Sequence, residues 1–328
     1  MIPQLLKLFV DTGKVRFVAR NYPLNTIHNN AQKAAETSVC AGRQGKFWEM
    51  HDKLFASQAE WSAEGVDGIG FFKKYAQDLG LDTKAFNQCL DGGEAAIDVQ
   101  ADLMAGQAAG VRATPTLFVN DLPIQGGAPL ETLAKVIDYV AAGGPPPNIV
   151  PAEGDFHMLG SQQTAQGAMA AFVDFASVDS AKYTLEVLPT IRTDYVDKGT
   201  LIYVTHSWAD KEGSPSFFGA LAAECAGEQG KFWEMQDQLF KEQKTWTSAA
   251  DPRPAFAGYV QALGLDKAKF ETCLASDAAK LRVQAGSVVG VLYSVAGAPQ
   301  YLFSNGQTLN GAPTLDEFKA TLDSMLAQ

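Results

Sequence analysis

The sequence predicts an α/β chain built from two copies of one domain, each a small mixed sheet with a helical subdomain inserted into it. Three observations carry that prediction. Gln44 to Phe55 reads QGKFWEMHDKLF and Gln229 to Phe240 reads QGKFWEMQDQLF, so only His51/Gln236 and Lys53/Gln238 differ across the stretch. Identity this dense, in bulky residues, marks an internal duplication. Strand and helix patterns then follow in the same order in both halves. Between them stands Gly143-Gly144-Pro145-Pro146-Pro147, a run that belongs to neither helix nor sheet interior. The expected divisions are a domain over 1–142, a Gly/Pro-rich linker over 143–166 and a second domain over 167–328.

Taken in order, Ile2 to Val10 has helical spacing, with Leu5, Leu6, Phe9 and Val10 on one side, and Asp11-Thr12-Gly13 stops it. Val15 to Ala19 reads as a short β-branched and aromatic strand. A long helical region follows, from about Asn30 to Gly110, holding the repeated helix, a helix around Phe71 to Leu79, and Asp82 as the cap of a helix carrying Phe86 and Cys89. Gly110 to Pro115 leads to strands at Thr116 to Val119 and Leu122 to Gln125, and a helix over Leu130 to Ala141. Pro151 to Gly167 is polar and expected on the surface.

The second half opens with a strand at Ala168 to Phe175 and a helix from Ser177 to about Val196. From Val196-Asp197-Lys198-Gly199, set against Val10-Asp11-Thr12-Gly13, the halves register. Leu201 to Thr205 is the matching strand, Leu263-Gly264-Leu265-Asp266 repeats Leu79 to Asp82, and Leu315 to Leu326 is the closing helix.

Composition bounds the function. With 328 residues, 46% hydrophobic and 19% charged, each half can bury its own core. A net charge of −11 argues against nucleic acid or an anionic membrane as partner, since both need clustered cations. No apolar run reaches the roughly 18 residues that span a bilayer. The first residues lack the basic start and cleavage site of a signal peptide.

A strand–helix–strand unit and a strand–strand–helix unit sharing one sheet, with helices inserted between them, is a thioredoxin-like arrangement. The residues sharpen this. A strand ending in Asp174-Phe175, four residues where Cys-x-x-Cys would stand, Leu185-Glu186-Val187-Leu188-Pro189, the AECAGEQGKFWEM stretch at 223–235 and GVRATPTLFVN at 110–120 resemble the DsbA-like thiol–disulfide oxidoreductases, over nearly the whole chain and twice. The resemblance implies two thioredoxin-like domains. It implies polypeptide substrates held along a cis-proline loop (Thr114 and Pro115, Ala298 and Pro299), a redox partner protein, no cofactor and an extracytoplasmic location. The first loop looks fit for use; the second follows an irregular insertion near Tyr293 to Ala296.

The departures decide what this chain does. Ser177 and Ser180 stand where the cysteine pair should be, and a hydroxyl neither forms nor exchanges disulfides; Ser177 reads as a helix cap. The first half starts inside the corresponding helix, with Met1 opposite Val187, so its first strand and cysteine motif are not in this sequence. The expectation is that they lie upstream, with cysteines ten and seven positions before Met1, together with an export signal or anchor. No catalytic residue is assigned within the chain. The four cysteines form equivalent pairs, Cys40 with Cys89 and Cys225 with Cys273. Either they are disulfides or they are buried free thiols; their persistence in a half without a catalytic pair favours structural bridges and an oxidising compartment. His28, His51, His157 and His206 show no ligand spacing, so no metal is expected. The leading expectation is a protein of extracytoplasmic thiol–disulfide exchange whose dithiol lies upstream. The alternative is a redox-inactive polypeptide-binding module, and a cytoplasmic transferase of the same fold ranks third.

Overall fold

The computed structural model describes residues 2–209 and 211–327. Met1, which the repeat register sets against Val187, lies outside the described residues. The chain forms two compact units: Met1–Thr116 with Gln125–Gly127, and Leu117–Ile124 with Ala128–Gln328. The helix that ends the first repeat is grouped with the second unit.

The first unit is helical. Its elements are α1 (Ile2–Leu5), continued as a π-helical turn over Leu6–Val10, then α2 (Ala31–Gly42), α3 (Phe47–Ala56), α4 (Gln58–Trp61), α5 (Ile69–Asp78), α6 (Thr83–Asp91) and α7 (Ala96–Ala108). Met50, Leu54, Phe72, Phe86 and Leu90 lie in its core; of the spaced residues Phe47, Met50, Leu54 and Phe55, which the helical period sets on one buried face, Phe55 is instead 65% exposed. Asp82 caps α6 by accepting the Ala85 N–H at 3.0 Å, and Gln44 fixes that cap by accepting the Asp82 N–H at 2.8 Å. The strand expected at Val15 to Ala19 does not form: the segment enters no ladder among the described residues. A strand exists only through its neighbours' hydrogen bonds, and the segment's repeat counterpart in the second unit is paired on both sides.

A hairpin of β1 (Thr116–Val119) and β2 (Leu122–Gln125) follows, then α8 (Leu130–Ala141). In the second unit come β3 (Met158–Leu159), β4 (Gly167–Val173), α9 (Val178–Lys182), a π-helical turn (Tyr183–Val187), α10 (Leu188–Ile191), another π-helical turn (Arg192–Val196) and β5 (Leu201–Ser207). The inserted helices are α11 (Pro215–Gly227), α12 (Phe232–Lys241), α13 (Gln243–Thr247), α14 (Arg253–Ala262), α15 (Lys267–Leu274) and α16 (Asp277–Leu292). They precede β6 (Gln300–Phe303), β7 (Thr308–Asn310) and α17 (Leu315–Leu326), which opens on a Thr314/Glu317 capping box.

The sheet order is β3-β5-β4-β6-β7. β4 and β5 are parallel, Gly167 opposite Leu201 through Val173 opposite Ser207; β6 runs antiparallel to β4. Both central strands are apolar, and both faces are covered. Met169, Ala171, Leu201 and Tyr203 face one core, Ala170, Phe172, Ile202 and Val204 the other. Gly290 allows α16 to come close, because a Cβ there would lie 2.3 Å from the Trp208 ring. Part of the stretch expected as linker is ordered sheet, since β3 adds antiparallel to β5 with Met158 buried. Met158 offered too short an apolar signal to read as a strand.

Candidate functional site

The place where the cysteine pair was expected is a closed turn between β4 and α9. Asp174 Oδ1 accepts the Ala176 N–H at 2.7 Å. Ser177 caps α9, its Oγ accepting the Ser180 N–H at 3.3 Å, and Ser180 Oγ accepts the Asp174 N–H at 3.1 Å. Ser180 is fully buried. Gln243 on α13 donates through Nε2 to the carbonyls of Phe175 (2.8 Å) and Ser177 (2.9 Å). Phe175 stacks on Phe240 of α12 at 5.1 Å, nearly parallel. The hydrogen bonds fix the backbone of the turn. Beneath it, burial raises the Tyr183 and Tyr203 phenols well above their ordinary value, so both stay protonated.

The antiparallel register of β4 and β6, with Phe172 opposite Gln300, sets Pro299 beside the end of β4, just before this turn. The Ala298–Pro299 and Thr114–Pro115 bonds are both cis. In each repeat the proline carbonyl accepts a glycine N–H at 2.9 Å, Gly311 for Pro299 and Gly126 for Pro115. Their surroundings differ. Thr114 and Pro115 are exposed, whereas Ala298 is half-buried and Pro299 buried. Ser294, in the irregular stretch before Pro299, has a φ of +58°.

The four cysteines lie on the helical subdomains. Cys40 on α2 bonds Cys89 on α6, and Cys225 on α11 bonds Cys273 on α15, with Cα–Cα distances of 5.9 and 5.6 Å. None is free.

Sequence reasoning passed over one polar cluster. His157, just before β3, lies 2.7 Å from Asp155 through Nδ1 and 2.8 Å from Glu224 through Nε2, and Glu224 also takes Arg282 Nε at 3.2 Å. Burial opposes charging of His157, but Glu224 and Asp155 hold its pKa at about 9. The cluster lines a cavity of about 160 Å³. The signal for it was Glu224, the only charge in the apolar run of α11. Burial takes His206 the other way, to about 4, with its Nε2 on the Ile149 carbonyl at 2.8 Å. Among the described residues, no group of three or more His, Cys, Asp or Glu is arranged to hold a metal. No helix there is long and apolar enough to cross a membrane.

A thioredoxin profile matches residues 1–139 and 153–324, one match for each repeat. The chain belongs to the thioredoxin family. Disulfide bond formation protein D of Bacillus subtilis is 28% identical over 147 residues, 44% of this chain and 64% of that protein. The Na(+)/H(+) antiporter NhaA 1 of Salinispora arenicola is 36% identical over 141 residues, 43% of this chain. The chain spans only 21% of the length of that antiporter. Among solved structures, alpha-DsbA1 of Wolbachia pipientis is similar at a TM-score of 0.49 and 14% identity, over 55% of this chain and 94% of that one.

Proposed function

We propose that the chain is the polypeptide-holding part of an extracytoplasmic thiol–disulfide exchange protein whose Cys-x-x-Cys lies outside these residues, ten and seven positions before Met1 in the repeat register. The observation that carries this reading is the serine-wired turn at Ser177 and Ser180 beside a cis-proline loop. The frame of a thioredoxin-family exchange site is kept while its dithiol is replaced. All four cysteines are already joined in the helical subdomains, and persistent cystines belong to oxidising compartments. Thr114, exposed ahead of the exposed Pro115, offers its backbone groups to an extended polypeptide. Ala298 and Pro299 are the equivalent loop of the second repeat. A redox partner protein would recharge the dithiol.

The second reading is a polypeptide-binding module with no redox role. The helix cap made by Ser177 and the Asp174 N–H bond accepted by Ser180 favour it, because they give both hydroxyls a structural task. An insulin-reduction assay with dithiothreitol tests the shared claim. The chain as it stands gives no rate above background, and the Ser177→Cys/Ser180→Cys variant gains one. A rate from the unaltered chain overturns the claim that its residues hold no working dithiol. Encoded cysteines upstream of Met1 select the first reading over the second.

A further inference from the structure

The two helical subdomains share a framework and differ in what fills one corner of it. Cys40 with Cys225, and Leu79 with Leu263, set the register. Lys33, Glu36, Lys73 and Asp91 of the first repeat then stand opposite Phe218, Leu221, Ala257 and Ala275 of the second. In the first unit these positions are ionic. Lys73 on α5 reaches Asp91 on α6 at 2.7 Å and straps the two helices together. Lys33 on α2 pairs with Glu36 at 2.6 Å and donates to the Leu90 carbonyl at 3.3 Å, and Leu90 is 1% exposed. In the second unit two alanines replace the strap, Phe218 and Leu221 replace the charged pair, and Leu274, the counterpart of Leu90, is only half-buried. There α11, α14 and α15 line a cavity of about 360 Å³.

The lining fixes the chemistry of an occupant. Its floor is Phe218, Leu221, Phe256, Val260, Phe270 and Leu274, side chains that offer water no hydrogen bond. Phe256 and Phe270 are 1% and 3% exposed, and Phe256 is braced by Trp246 at 5.7 Å, so both rings are set before anything binds. Three phenyl groups around one space favour an aromatic ring, through edge and offset-face contacts. The rim is charged but balanced: Arg253 is held by Asp251 at 2.8 Å and Lys267 by Glu271 at 3.7 Å. An entering ion would lose its hydration against an apolar floor and meet no net counter-charge at the rim. The volume lies at the lower end of small-molecule sites, which run to roughly 300–1,000 Å³.

We propose that the cavity between α11, α14 and α15 binds a small uncharged aromatic molecule, its ring held among Phe218, Phe256 and Phe270. The site goes beyond the exchange reading above and stands whether or not that reading holds.

The test titrates the whole chain with N-phenyl-1-naphthylamine, an uncharged probe whose fluorescence rises in apolar surroundings. Binding should saturate at one probe per chain, indole should displace it, and amide exchange over residues 253–275 should slow. Ala257→Lys with Ala275→Asp restores the strap of the first repeat at two exposed positions. It should weaken binding by at least about tenfold, with the far-UV circular dichroism unchanged. Phe218→Lys, which sets the first repeat's residue on the floor, should weaken it likewise. Absence of saturable binding, or binding indifferent to both variants, overturns the site. So does binding lost on Phe55→Asp, which places the probe on the first unit. Displacement by a reduced and alkylated insulin B chain at lower concentration than by indole assigns the cavity to polypeptide side chains and overturns the small-molecule site. Should the strap variant unfold, the unaltered chain decides: slowed exchange confined to residues outside 253–275 overturns the site.

Discussion

Glu228 and Arg282 hold, with the charges exchanged, the ion pair that Arg43 and Asp98 hold in the first unit. Arg43, just beyond α2, meets Asp98 on α7 at 3.0 Å, and Arg282 reaches from α16 to Glu228 just beyond α11. Each arginine also lies against its own cystine, Arg43 Nη1 at 3.6 Å from Cys89 Sγ and Arg282 Nη2 at 3.9 Å from Cys273 Sγ. The interaction outlived a reversal of both partners, so the position serves the packing of these helices around the disulfide.

The two arginines should nonetheless differ in weight. Arg43 and Asp98 are both substantially exposed, and a double-mutant cycle of Arg43→Gln with Asp98→Asn should give a coupling of about 0.2–1 kcal/mol. Arg282 also pairs with Glu224, which is 2% exposed. Arg282→Gln leaves that buried carboxylate to His157 alone and should cost about 1–3 kcal/mol in urea unfolding. Equal losses at the two arginines would contradict the assignment.

Stability should fall on both sides of neutrality, through two histidines. His157 has its pKa raised from 6.5 to about 9, so its contribution is complete below pH 6.5 and disappears as pH rises through 9. His206 has its pKa lowered from 6.5 to about 4, so the unfolded chain takes up the proton first and stability falls as pH drops from 6.5 towards 4. Each limb should amount to roughly 1–3 kcal/mol in urea titrations. His157→Gln should flatten the alkaline limb, and an unchanged profile would count against the cluster.

Each cystine closes a ring, with sequence separations of 49 and 48 residues. Opening either one should lower stability by about 4 kcal/mol through the entropy returned to the unfolded chain. Paired Cys→Ala variants, Cys40 with Cys89 and Cys225 with Cys273, measured by denaturant unfolding, check this. A loss well below 1 kcal/mol in both would show that packing alone holds the helices.

Gln243→Leu should cost about 1–3 kcal/mol, because it leaves the Phe175 and Ser177 carbonyls without their donor beside a buried ring. The same variant should loosen the turn, read as faster amide exchange over residues 174–180. Unchanged exchange there would dissociate Gln243 from the geometry of the turn.

Much of the architecture was readable because the chain states it twice. The duplicated helix, Asp82 and Asp266 as caps, and the closing helices depend on local spacing and capping chemistry, and they stand where the pattern put them. The serine turn was readable because Ser177 is a strong N-cap residue before Asp179. What escaped depends on neighbours distant in sequence. Val15–Ala19 has strand composition, yet a ladder needs a partner. Glu224 and His157 are 67 residues apart, and neither alone announces an ion pair. The exposure of Phe55 was equally hidden, since its sequence neighbours match those of the buried Phe240.

The cross-linked rings also set an order of events. A chain threaded through a narrow channel must pass as a single extended strand, and a closed ring of about fifty residues presents two strands side by side. Both cystines lie deep in helical packing rather than at a tip, so they cannot slip aside. Passage of this polypeptide through such a channel therefore requires open bridges, and once they have closed it requires that both be reduced.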